Sequence, residues 1–562
     1  MSATAPYFTA WLDDFFASYY LQRPVNATFI GVHEYDHCLP DFSQTGVEKC
    51  LAEMDDLLAR LHTLPVEPLS ASEQIDRTLA QGFLLIQRWE YTSNHFQRGN
   101  PALYTGEAIF SIIGLFLTSF APIQERVAAA TARMRAIPAF LAQAQANLRT
   151  APRAWTERAL HECEGARLLF GAGIDQLMSD EKIADLDFRR AADEAALAFE
   201  AYRAFLSDDL LQHPNSEYAC GAQIFDMLLR HGHFLKMDSA AIVAYAETAL
   251  DEADAYLAAH AADFGATNAA EALAQLANFH PTADAYNTQF MVVWHACRER
   301  AIRQQLLTWP DFPIDYLPRP QWVRQVAPYL YFLYYRSPAA FNRPPVHHYL
   351  IAPLEATLSP AEQDAFLRSN NDSVIKLNHV VHHGSIGHHV QNWHAFHAAS
   401  RIGRMAAVDC AARIAMFCGG TMAEGWACYA TELMDEAGFL TPLESYAEVQ
   451  SRRRMSARAI VDVKLHSGEY TLDEATAFYQ QRAGMSAAVA HSEAVKNSMF
   501  PGAALIYLLG SDMIKELRND LAGRAGAAFN LAEFHDRFLA YGSIPVTLIC
   551  ADMRRRVADG EE

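Results

Sequence analysis

"HVVHHGSIGHHVQNWHAFH", residues 379–397, carries seven histidines in a run of about five helical turns. Metal sites on helices usually follow HExxH, with two histidines four residues apart and a glutamate between them that activates water. Here the order is His382-His383-Gly384-Ser385-Ile386-Gly387-His388-His389. On a regular helix His382 and His388 would face about 240° apart, and His382 and His389 would share a face but stand about 10 Å apart. Neither pair can chelate one ion without a distortion, and Gly384 and Gly387 tolerate the dihedrals of a bulge or break. His379/His382 and His379/His383 have ordinary helical spacing and compete as ligand pairs. The bland alternative is a solvated polar face with some histidines bonded in the core.

About forty residues downstream, "AEGWACYATELMDE" (423–436) sets Glu424 in an apolar helical run. A carboxylate there is costly to bury unless it is paired or bound to a metal. Glu424 is therefore the candidate third ligand, with Glu432 two turns on as a supporting partner. In "RRRMSARAIVDVKLHSG" (452–468), Arg454, Arg458, Asp462 and His466 recur every four residues on one helix face. An Arg458–Asp462 pair is expected to present the guanidinium or orient His466. "FPGAALIYLLG" (500–510) places Tyr507 early in an apolar helix, where its hydroxyl could serve an oxyanion.

Helical periodicity dominates the rest of the chain. Residues 240–265 and 126–148 repeat apolar positions at three- and four-residue steps, and Pro138 is expected to break or kink the second. "WPDFPIDYLPRPQW" (309–322) reads as a loop. After it come two strand-like runs, "LYFLYYR" (330–336) and "VHHYLIAP" (346–353), the second carrying His347 and His348. The expected class is mainly α: a large helical fold with a small sheet beside the histidine helix. We divide the chain near residue 325, into a helical scaffold (1–325) and a metal-site region (326–562), with one continuous unit as the alternative.

The chain has 562 residues, half of them hydrophobic, and a formal net charge of −21. That charge disfavours generic binding to nucleic acid or an anionic membrane. The start of the chain shows no secretory signal pattern, and the apolar run 109–123 is too short to span a bilayer. Nine scattered cysteines without a CxxC pair suggest reduced thiols, hence a cytoplasmic protein.

Taken in order, these stretches resemble the bacterial family catalogued as domain of unknown function 885, whose members look like zinc metallopeptidases of the glutamate-ligand type. The family pattern runs HExxPGHHxQ, then EGWAxYxE, then RxxxD with a later histidine, then PGQ followed by a tyrosine. This chain matches with His382, Gly387, His388, His389 and Gln391, then Glu424, Arg458, Asp462, His466, Pro501, Gly502 and Tyr507. "FHDRFLAYGSIPVTLI" (534–549) and "GVHEYDHCLPDFS" (31–43) fit its ends. The resemblance implies His382, His388 and Glu424 as metal ligands, with His389 the alternative to His388 and zinc, or another divalent transition metal, as the ion. It implies catalytic contacts from Tyr507, His466 and Arg458. Gln391, Lys496 and His347 are candidate substrate contacts.

The departures are chemical. His383 stands where the family has its catalytic glutamate, Ile386 where it has proline, Ala503 where it has glutamine, and Leu508 where it has lysine. Imidazole can accept a proton near neutral pH, but it brings no negative charge. The expected function is a metal-dependent hydrolase of small peptide or amide substrates with His383 as base. The alternatives are a non-catalytic metal- or ligand-binding relative, or a lyase or decarboxylase in which His383 joins the metal shell. A homodimer is left open.

Overall fold

The computed structural model describes residues 6–67, 69–330, 336–408 and 413–560. The protein is mainly helical. One apolar cluster runs from Phe8 to Met553, so both halves of the chain contribute to it. The apolar run at 109–123 falls largely in the buried helix Pro101–Phe116. The helix Ile123–Asn147 continues through Pro138 without the expected break. Proline removes one backbone hydrogen bond there, and the buried Ile137, Phe140 and Leu141 beside it hold the helix to the core.

The stretch 309–322 is not wholly a loop. Ile314–Pro318 forms a strand that pairs in parallel with His347–Ile351, Ile314 opposite His347 and Tyr316 opposite Tyr349. Ile314 and Tyr316 face inward while Asp315 and Leu317 face outward, which is the two-residue period of a strand. The strand-like run at 330–336 lies mostly outside the described residues. The pairing that is seen joins segments on either side of residue 325. A second parallel pair joins Ala151–Pro152 to Pro214–Asn215.

Three helices carry the candidate residues Glu424, Tyr507 and Arg458. Gly420–Glu436 carries Glu424 and packs along Ile506–Ala525, which carries Tyr507. Their closest approach is at glycines. A Cβ on Gly425 would lie 2.5 Å from the backbone of Gly510, and one on Gly510 would lie 2.2 Å from the Thr421 carbonyl oxygen. The glycine after Glu424 is thus required for helix contact. The third helix, Pro442–Ser467, carries Arg458 and packs along Ser239–His260.

Candidate metal centre

Val374–Gly384 is a π-helix, and Ser385 (φ −135°, ψ −115°) and Gly387 (φ −73°, ψ −121°) leave helical geometry before a new helix starts at His388. The required distortion is therefore present, built from a widened turn and a break. Tertiary hydrogen bonds hold it. Trp294 Nε1 donates to the Gly384 carbonyl (2.9 Å) and Trp426 Nε1 to the Ile386 carbonyl (2.9 Å). Within the segment, the Gly387 amide donates to the Val381 carbonyl (3.0 Å) and Ser385 Oγ to the Val380 carbonyl (2.9 Å). Both glycines are sterically obligatory: a Cβ on Gly384 would lie 1.9 Å from the Tyr316 hydroxyl, and one on Gly387 1.9 Å from the His382 carbonyl oxygen.

The break turns His388 back onto His382. Their rings lie 4.9 Å apart, and the donor atoms of His382, His383 and His388 all lie within 4.8 Å of one another. From the other side, Glu424 Oε2 stands 3.4 Å from His382 Nε2 and 3.7 Å from His388 Nε2. A charge-assisted hydrogen bond would be about 2.7–2.9 Å. Two donors on one tetrahedral zinc, each at roughly 2.0–2.1 Å, are about 3.4 Å apart. The spacing is that of co-ligands. Glu424 Oε2 is also buried and makes no well-aligned hydrogen bond among the described residues. A buried carboxylate oxygen facing two imidazole nitrogens without an aligned hydrogen bond is only partly compensated, and a cation between them would complete the compensation. The residues present therefore fit a divalent ion.

Burial drives the imidazoles of His382 and His383 below their ordinary value, which keeps their lone pairs available. Burial pushes the Glu424 carboxyl up, but His382 and His388 outweigh it and hold the group well below the usual carboxylate range. His383 Nδ1 lies 2.7 Å from the Asn378 carbonyl, which can only accept, so Nδ1 carries the hydrogen and Nε2 the lone pair.

The other histidines are directed elsewhere. His379 Nδ1 lies 2.6 Å from the Tyr349 hydroxyl, and Tyr316 donates to its carbonyl (3.1 Å), tying it to the sheet. His389 Nε2 donates to the Phe312 carbonyl (2.8 Å) with its ring stacked on Phe312, so His388 is the residue facing Glu424. His347 is buried beside His389, while His348 is exposed.

Arg458 and Tyr507 do meet, with the guanidinium carbon 5.1 Å from the ring centre. Burial, and then the Glu424 charge, raises the Tyr507 phenol well above its ordinary value, so it stays a donor. Its hydroxyl makes no hydrogen bond among the described residues.

Several expectations need correction. Arg458 pairs with Glu493 (2.8 Å) and not with Asp462. Asp462 instead accepts backbone N–H groups from Gly502, Ala504 and Leu505. His466 is fully buried away from the cluster; its Nε2 donates to the Asn497 carbonyl (3.0 Å) and its ring packs on Phe225. Gln391 is buried and donates to Ser543 Oγ, so it faces the core. Glu432 is bonded to Lys515 (2.7 Å) and not to the cluster. Glu493 was not anticipated; its only sequence signal is its place three residues before Lys496. A cavity of about 520 Å³ lined by Ile75, Leu521, Phe534 and Met553 lies elsewhere and contains none of these residues.

Two solved structures share the fold. A "putative lipoprotein of unknown function" from Shewanella oneidensis is 21% identical with a TM-score of 0.78, covering 99% of this chain and 100% of its own. The "putative lipoprotein" from Colwellia psychrerythraea is 16% identical with a TM-score of 0.71, covering 98% of this chain and 99% of its own. The cytoplasmic placement read from the cysteines is overturned by these neighbours, both described as "putative lipoprotein". No helix among the described residues is long and apolar enough to cross a membrane. Among curated proteins, none matches the chain. The pattern described as "Bacterial protein of unknown function (DUF885)" matches residues 24–553, and the chain belongs to that family.

Proposed function

We propose that this protein is a divalent-metal-dependent hydrolase of small peptide or amide substrates, with zinc as the ion. Its ligands are His382, His388 and Glu424. The observation that carries this reading is the buried Glu424 Oε2, at 3.4 and 3.7 Å from two imidazole nitrogens with no well-aligned hydrogen bond among the described residues. Bound by these residues, a divalent cation would supply Lewis-acid polarisation of a carbonyl and lower the pKa of water. His383 accepts the proton at Nε2, since Asn378 holds the hydrogen on Nδ1. Tyr507 offers its hydroxyl to the developing oxyanion, and the Arg458 guanidinium against its ring adds positive charge. Lacking a carboxylate's charge, His383 is a weaker shuttle than glutamate, which favours activated or small amides.

A second reading has its own support: the His383 donor atom lies within 4.8 Å of those of His382 and His388. As a fourth ligand His383 would close the shell, the pattern of a structural site or of different chemistry such as a lyase or decarboxylase. Elemental analysis and X-ray absorption on wild type and His383→Ala, with short-peptide hydrolysis assays, separate the two. The hydrolase reading expects one ion per chain with two imidazoles, and His383→Ala keeping the ion while losing at least 100-fold in kcat. Loss of one imidazole and of tenfold or more in metal affinity in His383→Ala would establish the closed shell. Absence of any bound ion in zinc-reconstituted wild type sinks both.

A further inference from the structure

Beside the metal cluster the charges do not balance. The helix Pro442–Ser467 carries Arg452, Arg453, Arg454 and Arg458. Arg452 makes two hydrogen bonds to Asp512 (2.8 and 3.0 Å), and Arg453 is paired with Asp254. Arg458 uses Nε to bind Glu493 (2.8 Å), which leaves the terminal nitrogens of its fork for another acceptor. Arg454, one turn before Arg458, is exposed and makes no hydrogen bond or ion pair among the described residues. Lys496, one turn after Glu493 on the neighbouring helix Ala487–Met499, is half-buried and likewise makes none.

Three cations are thus grouped about one carboxylate: Arg458 binds Glu493, Arg454 lies one helical turn before Arg458, and Lys496 lies one turn after Glu493 on the neighbouring helix. This local surplus of positive charge occurs in a chain whose net charge is −21. It borders the reaction centre, because the Arg458 guanidinium rests on the Tyr507 ring. Guanidinium groups and an ammonium on adjacent helical turns beside a carbonyl-activating site suit a carboxylate on the substrate.

We propose that Arg454, Arg458 and Lys496 form a subsite for the free α-carboxylate of a short peptide. The bond acted on is then the peptide bond nearest that carboxylate, the pattern of a carboxypeptidase or dipeptidase. This inference rests on the hydrolase reading above, but its test does not. N-acetyl-Ala-Ala as the free acid and as its C-terminal amide is titrated calorimetrically into full-length protein, with and without zinc, at low salt. The acid binds at least tenfold tighter than the amide. In the Arg454→Ala/Lys496→Ala double variant that preference falls below threefold while amide affinity, metal content and Tm stay at wild-type values. Arg454→Lys restores part of the preference. Equal binding of acid and amide, binding of neither, or a preference that survives the double variant overturns the subsite. Acid-selective binding without cleavage leaves the subsite standing and counts against the hydrolase reading. Cleavage without acid preference does the reverse.

Discussion

Replacing Asp462 by alanine tests how the helix that carries Tyr507 is held. Asp462 is fully buried on the helix Pro442–Ser467, and its oxygens accept from the amides of Gly502 (2.9 Å), Ala504 (2.8 Å) and Leu505 (3.1 Å). Leu505, just before the helix Ile506–Ala525, has no capping side chain, so Asp462 caps that helix from a neighbour. Asp462→Ala strands three buried donors, a loss of about 3 kcal/mol at about 1 kcal/mol each. Unfolding entropy of about 2.1 cal/mol/K per residue gives about 1.2 kcal/mol/K for this chain, so Tm falls by only about 2–3 °C. Hydrogen exchange reads the effect more sharply: amides 502, 504 and 505 exchange about 100-fold faster, while the Glu424 helix is unchanged. The pH dependence has a definite sign. Burial pushes the Asp462 carboxyl from 3.8 up to about 7, the three N–H groups opposing it. The folded state therefore holds the proton more tightly than the unfolded one. The stability this contributes is complete below about pH 4 and is lost as pH rises through about 7. The cost of Asp462→Ala is accordingly larger at pH 4.5 than at pH 8. Unchanged exchange at 502–505, or a cost that grows with pH, would refute the capping argument.

Two further substitutions probe the surroundings. Gly387→Ala places a Cβ 1.9 Å from the His382 carbonyl oxygen, so the backbone must move. We expect a loss of about 3 kcal/mol in denaturant unfolding and zinc content below one tenth of an equivalent; a variant that binds zinc normally would show that the break is not needed to bring His388 to His382. Burial, then Glu432, Asp435 and Glu444, pushes the Glu448 carboxyl up to about 8. Its folded value exceeds the unfolded one, so the stability it contributes is present at low pH and lost as pH rises through about 8. Glu448→Gln should therefore stabilise by about 1–2 kcal/mol at pH 9, allowing for partial exposure, and by nothing at pH 4. A thermal scan showing equal gains at both pH values would contradict this.

Long amphipathic helices are readable because their signal is local and repeats many times, as in Ser239–His260. Ile314–Pro318 was hidden because prolines and aromatics on both sides mark a loop more strongly than five residues can mark a strand. Its alternation, Ile314 and Tyr316 against Asp315 and Leu317, is nevertheless present in the sequence. The continuity of the helix through Pro138 has the opposite cause. The local cost of one hydrogen bond is visible in the sequence, while the burial of Ile137, Phe140 and Leu141 that offsets it is not.

The site divides along the same line. Glu424 stands out because a carboxylate in an apolar helical run needs a partner, and that argument requires no coordinates. Whether His382 could reach His388 was undecidable from spacing, because residues six apart are on different faces of an α-helix. The answer depends on the π register and the break at Ser385 and Gly387, which are held by Trp294, Trp426 and Tyr316 from three distant segments. Nothing local to 379–397 specifies those bonds. The same reasoning explains Asp462. Four-residue spacing makes Arg458 its obvious partner, but the turn leading into the helix Ile506–Ala525 offers three backbone donors on one side and Glu493 takes the guanidinium on the other. A pair permitted by helical spacing forms only if neither member has a better partner across the interface. For a buried carboxylate, several convergent N–H groups at a helix start are that better partner.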